Sequence, residues 1–100
     1  MKKIIILIIL CTVTAYTASY EECGKTDGIT ASGVKATENC TIACDFLKFG
    51  TQVKILGNTY IVEDRIGSGH PNKIDIFMVD RQKAIEFGHQ ILEIEIREDT

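Results

Sequence analysis

The stretch Gln52-Val-Lys-Ile-Leu-Gly-Asn-Thr-Tyr-Ile-Val-Glu-Asp64 decides the fold class of this chain. Apolar and polar residues alternate on both sides of Gly57-Asn58, a pair typical of a two-residue hairpin turn. This pattern predicts two antiparallel strands that bury one face and expose the other.

Short strands and turns continue on both sides of this hairpin. Leu92–Ile96 alternates, which directs Leu92, Ile94 and Ile96 to a core. Asp80 is suited to cap one short helix that runs to Phe87 and ends at Gly88. The other predicted strands are 12–16, 41–45 and 74–79. Five or six short strands and one helix predict an all-β domain, mainly β with one short helix, closed into a small barrel.

The composition limits both size and partners. The chain has 100 residues, a net charge of −3 and a single proline, as expected for one small domain. It has no basic run, so its charge pattern does not favour a nucleic-acid partner. We expect a monomer and find no pattern that calls for a cofactor.

Residues 1–11 allow two interpretations. Lys2 and Lys3 followed by the apolar run Ile4–Leu10 are typical of an export signal. That interpretation predicts an extracellular or cell-envelope protein, secreted or anchored by its N-terminus, whose folded domain occupies residues 12–100. The run is too short to span a bilayer as a helix, which needs about 20 residues. The same β-branched residues also suit the first strand of a barrel.

The chain has four cysteines, Cys11, Cys23, Cys40 and Cys44. In an exported protein they allow three full disulfide pairings, and the sequence does not choose among them. The spacing of Cys40 and Cys44 is not the short two-residue gap of most zinc sites. His70 and His89 would complete a metal set only if the fold brought them together, so we predict no metal. Buried thiols or one disulfide are the simpler interpretations.

Three aspartates lie in apolar, strand-like segments: Asp45 in Thr41–Asp45, Asp64 in Ile61–Arg65 and Asp75 in Ile74–Phe77. A carboxyl flanked by Ile, Val or Phe is expected to lose part of its hydration, which disfavours the charged form. A carboxyl that keeps its proton near neutral pH is suited to general acid catalysis. The three aspartates therefore predict a functional site.

Seven segments, taken in order, resemble the three-aspartate (3D) domain of bacterial cell-wall proteins of the stationary-phase survival and resuscitation type. They are Thr14–Ala18, Cys23–Gly33, Thr41–Asp45, Phe49–Thr51, Val62–Arg65, Lys73–Phe77 and Ala84–Gly88. That domain is a six-stranded double-psi β-barrel, similar to the catalytic barrel of membrane-bound lytic transglycosylase A. The resemblance covers nearly all of residues 12–96 and implies the same barrel here.

The resemblance implies an enzyme, a lytic transglycosylase that cuts the MurNAc-GlcNAc β-1,4 bond of peptidoglycan glycan strands during cell-wall remodelling. One aspartic acid protonates the glycosidic oxygen and then takes the proton of the muramic acid C6 hydroxyl, which closes on C1 as a 1,6-anhydro end. Ordinary glycosidases instead place two carboxyls across the bond. The alternatives are a non-catalytic, expansin-like module that binds peptidoglycan or another polysaccharide, and a structural wall protein.

Carried over position by position, Asp75 matches the catalytic acid/base of the family. Asp64, eleven residues upstream, is assigned to orienting neighbouring groups and keeping Asp75 protonated, and Asp45 is expected at the same cleft. The substrate-binding candidates are Thr30, Ser32 and Lys73. The chain departs from the family at Ile66, which stands where a glycine is usual.

Each assignment also has a structural interpretation. Aspartates such as Asp45 and Asp75 often accept hydrogen bonds from loop amides. Arg65, next to Asp64 in the sequence, is a candidate ion-pair partner for it. Adjacent strand residues point to opposite faces, which argues against that pair.

Overall fold

Six strands and one helix make up the computed structural model, which describes residues 3–18 and 28–99. The elements are β1 Ile4–Tyr16, β2 Thr41–Cys44, β3 Gln52–Ile55, β4 Asn58–Asp64, β5 Lys73–Phe77, α1 Arg81–Phe87 and β6 Gln90–Asp99. The strands close into a barrel in the order β1-β5-β2-β4-β3-β6. This confirms the predicted mainly β fold, a closed six-stranded barrel with one short helix.

The barrel mixes parallel and antiparallel pairs. Strands β1 and β5 run parallel, as do β2 and β4, while the other four pairs are antiparallel. Parallel neighbours cannot be joined by a tight hairpin. Residues far apart in the sequence, such as Thr14 and Asp75, therefore become cross-strand partners.

The core lies inside the barrel and follows the predicted alternation. Ile94 and Ile96 are buried in β6, and Leu92 packs against the core from a half-buried position. The fully buried side chains come from all six strands, namely Cys11, Val13, Thr41, Ile42, Cys44, Val53, Ile55, Val62, Ile74, Ile94 and Ile96. Burial of these mostly β-branched residues is the main force that holds the barrel together.

The hairpin between β3 and β4 turns one residue earlier than predicted. Ile55 pairs with Asn58, so the two turn residues are Leu56 and Gly57, with φ values of 50° and 83°. Positive φ at both positions is the mark of a type I′ turn. The predicted turn at Gly57-Asn58 would have buried the same strand faces, so the alternation could not distinguish the two registers.

The helix begins and ends as predicted. The Asp80 side chain accepts hydrogen bonds from the amides of Gln82 and Lys83, and Gly88 ends the helix with φ 67°. This is ordinary N-capping by a carboxylate and C-capping by glycine.

Strand β1 is longer than the predicted segment 12–16. It begins at Ile4 and pairs with β6 from Ile4 to Val13. Residues 4–11 therefore form a strand in this structure, which is one of the two interpretations of the N-terminus; the export signal stays a prediction. Within the described residues, no helix is long and apolar enough to cross a membrane.

Candidate active site

Four residues on neighbouring strands form a row across the barrel. Thr14 of β1 pairs with Asp75 of β5, Asp75 pairs with Ala43 of β2, and Ala43 pairs with Asp64 of β4. Ala43 lies between two inward-pointing residues of β2, so the row faces the outside of the barrel. Strand spacing of about 4.8 Å places the two aspartate backbones about 10 Å apart, with only a methyl side chain between them.

A β-bulge places Asp64 in this row. The β2–β4 register shifts between Ile42, which pairs with Val62, and Ala43, which pairs with Asp64. Glu63 is the extra residue, and its carboxylate accepts from the Thr41 hydroxyl at 2.7 Å. Bulges commonly re-aim a side chain beside a functional site, and without this one Glu63 would face Ala43.

The Asp64 carboxylate holds the segment 28–36 against the barrel. Its Oδ2 accepts from the Tyr16 hydroxyl at 2.9 Å, and its Oδ1 accepts from the amide of Ala31 at 2.8 Å. The amide of Arg65 also donates to Oδ1, at 2.9 Å. A cavity of about 20 Å³ lies beside Tyr16, Thr30 and Asp64, room for about one water molecule. Asp64 is therefore a positioning residue in this geometry.

Arg65 is directed to the turn after β2. Its guanidinium donates to the carbonyls of Cys44 and Leu47 at 2.6 and 2.8 Å, and it stacks on the Phe49 ring at 4.0 Å. The sequence argument that Asp64 and Arg65 point to different faces agrees with these contacts.

Asp75 has fewer partners than the other two aspartates. The Thr14 hydroxyl donates to its Oδ1. No hydrogen bond from residues 3–18 or 28–99 reaches its Oδ2, and the side chain is half-buried. Oδ2 is thus the Asp75 oxygen that no described residue binds, while Thr14 fixes the orientation of the carboxyl group.

Asp45 lies just beyond the end of β2 rather than in a strand, so its placement in a strand-like segment was wrong. Its Oδ1 accepts from the amides of Ile66 and Gly67 at 2.9 and 3.1 Å. Its Oδ2 accepts from Gly69 and His70 at 2.7 and 3.2 Å. Successive amides that converge in this way form an anion-binding nest, which the carboxylate fills.

The nest also determines the charge state of Asp45. Burial alone would raise the pKa of this carboxyl, but the four amide bonds together outweigh burial and lower the pKa from its ordinary value of 3.8. Hydrogen bonds to the charged form have this effect. Asp45 therefore anchors the loop between β4 and β5 as a carboxylate. Ile66, the departure from the family pattern, contributes to the nest only through its backbone amide.

The other predicted site residues occupy the edge of the row. Thr30 is buried, and its hydroxyl donates to the carbonyl of Val34 at 2.8 Å. Its oxygen also lies 3.0 Å from Ser32 Oγ. Because a hydroxyl has one hydrogen, Ser32 is the donor in that bond, and its own oxygen stays open to solvent as an acceptor. Lys73 is half-buried and shares a strand face with Asp75.

The described cysteines are free thiols, and Cys23 lies outside the described residues. Burial raises the pKa of Cys11 to about 11, with a smaller contribution from Cys44, and burial also raises the pKa of Cys44. Such thiols are protonated and inert at neutral pH. Cys40 donates to Glu63 Oε1 at 3.8 Å. The disulfide question for the whole chain stays open, and no group of three His, Cys, Asp or Glu in residues 3–18 and 28–99 could hold a metal ion.

Sequence reasoning missed Thr14 and Tyr16 as site residues. Both lie in the Thr14–Ala18 segment that carries part of the resemblance. The Tyr16 ring does pack edge-on against Phe77, with ring centroids 5.6 Å apart, while its hydroxyl reaches Asp64. A polar residue at alternate positions of an apolar strand was the available signal.

A groove of about 490 Å³ lies on the other side of Phe77, between α1 and the turn before β2. Met78, Phe87 and Tyr60 line it, and Glu38 and Glu86 are also part of its wall. It is much larger than the cavity beside Asp64.

Comparison with known proteins finds one relative that bears on this geometry. The chain is 35% identical over 89 residues to a protein of Bacillus subtilis (strain 168) named as a cell wall shaping protein, YabE. The match covers 83% of this chain and 21% of that protein, so the chain spans about a fifth of its relative's length. No protein-family model matches the sequence. The similarity and the closed six-stranded barrel fit a barrel domain of a cell-wall protein.

Proposed function

We propose that this chain is a lytic transglycosylase domain that cleaves peptidoglycan glycan strands during cell-wall remodelling. The observation that carries the proposal is the unequal use of the three aspartates. Backbone amides fill both oxygens of Asp45, and Tyr16 and two amides occupy Asp64. Only Asp75 keeps an oxygen without a hydrogen bond from the described residues. A site with one available carboxyl suits a reaction whose nucleophile belongs to the substrate.

In the proposed reaction, Asp75 Oδ2 carries the proton at the start. It gives this proton to the glycosidic oxygen between MurNAc and GlcNAc as the bond to C1 breaks. The carboxylate then accepts the proton of the muramic acid C6 hydroxyl, whose oxygen bonds to C1 and closes the 1,6-anhydro ring. Asp75 ends protonated again and no water is consumed. Separate acid and base residues, as in inverting glycosidases, are not needed.

The surrounding residues supply orientation in this scheme. Thr14 holds Oδ1 and leaves Oδ2 without a hydrogen bond from the described residues, and Asp64 holds Tyr16 and the Ala31 amide in place. The outward-facing acceptor of Ser32 and the ammonium of Lys73 lie at the edge of the same face, where they are suited to sugar hydroxyls and the muramyl carboxylate. Asp45 acts at a distance, by fixing the loop between β4 and β5.

Two further observations support the proposal. The parallel pairs β1–β5 and β2–β4 in one closed barrel are in keeping with the double-psi barrel that the resemblance implies. The relative is named for shaping the cell wall, which favours a cell-envelope location and peptidoglycan as the partner.

Digestion of isolated peptidoglycan sacculi tests the proposal. We expect purified protein to release muropeptides that mass spectrometry identifies as 1,6-anhydro products, and we expect Asp75→Asn to release them about 100- to 10,000-fold more slowly. Asp80→Asn is the matched control, because asparagine caps a helix as well as aspartate and Asp80 lies at α1. Products with reducing ends would make the chain a hydrolase and would contradict the proposal.

A non-catalytic peptidoglycan-binding module is the second candidate. The groove lined by Met78 and Phe87 favours it, because it offers far more room than the cavity beside Asp64. If the protein co-sediments with sacculi but yields no products, and Phe87→Ala weakens that sedimentation while Asp75→Asn does not, the binding function is the correct one.

A further inference from the structure

The N-terminal half of β1 is an apolar surface that the proposed site does not use. Residues 4–10 are all isoleucine or leucine, and β6 covers one of their two edges from Leu10 to Ile4. Their exposed fractions are 56% for Ile4, 42% for Ile5, 59% for Ile6, 48% for Leu7, 56% for Ile8 and 64% for Leu10. Contiguous apolar exposure of this kind marks an interaction surface.

The second edge of this segment carries main-chain groups that no described residue pairs with. Strand β5 joins β1 only from Thr12 onward. In an antiparallel pair, alternate residues turn their N–H and C=O away from the partner strand. About half of residues 4–11 therefore present these groups to the open edge. A long apolar edge without proline or an inward charge is a template for another strand.

We propose that a second copy of this chain occupies this edge, with the two β1 strands antiparallel across a two-fold axis. Two copies of this edge can pair with each other, because each offers the same apolar residues and carries no charge between Ile4 and Leu10. Strand β5 limits the open edge to residues 4–11, which puts the axis close to Leu7 and Ile8. An isologous contact of this kind closes on itself and ends at a dimer.

A second copy satisfies this edge better than a lipid surface does. Lipid would cover the apolar side chains but leave the main-chain groups of the open edge unpaired. Strand pairing covers the side chains and satisfies those groups together. The proposed dimer differs from the monomer expected from the sequence, which stays a prediction.

Light scattering on the full chain across a range of concentrations tests the dimer. We expect twice the monomer mass of 11.1 kDa. Ile6→Lys places two ammonium groups near the axis and should weaken association about tenfold or more. Ile85→Lys is the matched control, because Ile85 is 58% exposed on α1 and Ile6 is 59% exposed. Circular dichroism checks that both variants keep the barrel.

Cross-linking provides an independent test of the axis. Leu7→Cys should give a disulfide-linked dimer under oxidation, and Ile85→Cys should not. A monomer mass at every concentration would overturn the proposal, as would a mass that grows without limit. A monomer that sediments with phosphatidylglycerol vesicles, and loses that property in Ile6→Lys, would also overturn it in favour of a lipid surface.

Discussion

Asp45 and Asp75 look alike in the sequence but occupy opposite environments. Asp45 receives four backbone amides from the loop between β4 and β5. Asp75 receives one hydroxyl, from Thr14, and keeps an oxygen that no described residue binds. The comparison teaches that the number and kind of hydrogen-bond donors, rather than the apolar flanking residues, distinguish these two carboxyl groups.

Replacement of Asp75 by asparagine should have the largest effect. The carbonyl oxygen of the new amide can still accept from Thr14, so we expect the fold and its thermal stability to be kept. An amide cannot exchange a proton as a carboxyl does, so the rate of anhydro-product release should fall about 100- to 10,000-fold. Activity is measured on sacculi and stability by thermal unfolding, with Asp80→Asn alongside. Full activity of Asp75→Asn would mean that Asp75, like Asp45, takes no direct part in the reaction.

Asp45→Ala should give the converse result, a loss of stability. Four backbone amides lose a charged acceptor. Because these amides lie near the surface, water replaces part of the lost hydrogen bonding. We expect the free energy of unfolding to fall by about 1–3 kcal/mol, measured by urea denaturation. Activity per folded molecule should fall much less than in Asp75→Asn. A variant as stable as the parent but inactive would instead place Asp45 in the chemistry.

The elements set by neighbouring residues were predictable from the sequence. The alternation of residues 52–63 and 92–96 gave strands with the correct buried face, and Asp80 and Gly88 gave the ends of the helix, because these signals act over a few residues. The apolar flanking residues singled out the three aspartates, and the resemblance assigned them to one site, which stays a prediction.

The features that could not be predicted depend on pairing between residues that are far apart in the sequence. Thr14 meets Asp75 only because β1 and β5 are parallel neighbours, 61 residues apart. The bulge at Glu63, which brings Asp64 beside Ala43, requires knowledge of the β2–β4 register. The amides around Asp45 belong to a loop whose shape no local pattern fixes. These three features give the aspartates the different hydrogen-bond partners on which the proposed roles depend.

Thr14→Val should have an intermediate effect, because it removes the only hydroxyl among the described residues that binds Asp75 and keeps the size of the side chain. We expect activity to fall about 3- to 10-fold, with Thr14→Ser near the parent because serine retains the donor. Rates on sacculi are compared across a pH series, since a hydrogen bond that orients the proposed acid/base should alter the pH profile as well as the rate. A change in stability without a change in rate or profile would make Thr14 a packing residue.

The smallest expected effect is on the pH dependence of the free energy of unfolding. The direction of this effect follows from the nest around Asp45. Burial would raise the pKa of Asp45, but the amide bonds outweigh it, so the folded-state pKa lies below the ordinary value of 3.8. The contribution of Asp45 is therefore fully present above about pH 4 and is lost as the pH falls through the folded-state pKa. Asp45→Asn has no charge to lose. The NH2 group of the asparagine side chain faces two of the four backbone N–H donors, which therefore lose their acceptor. This variant should be less stable than the parent near neutral pH, and that gap should narrow in acid.

Urea denaturation at about pH 5.5 and about pH 2.5 measures the gap in unfolding free energy between the two proteins. Since all other carboxyls are common to both proteins, their titration cancels. A gap that stays constant between the two pH values would mean that the amides do not hold Asp45 in its charged form.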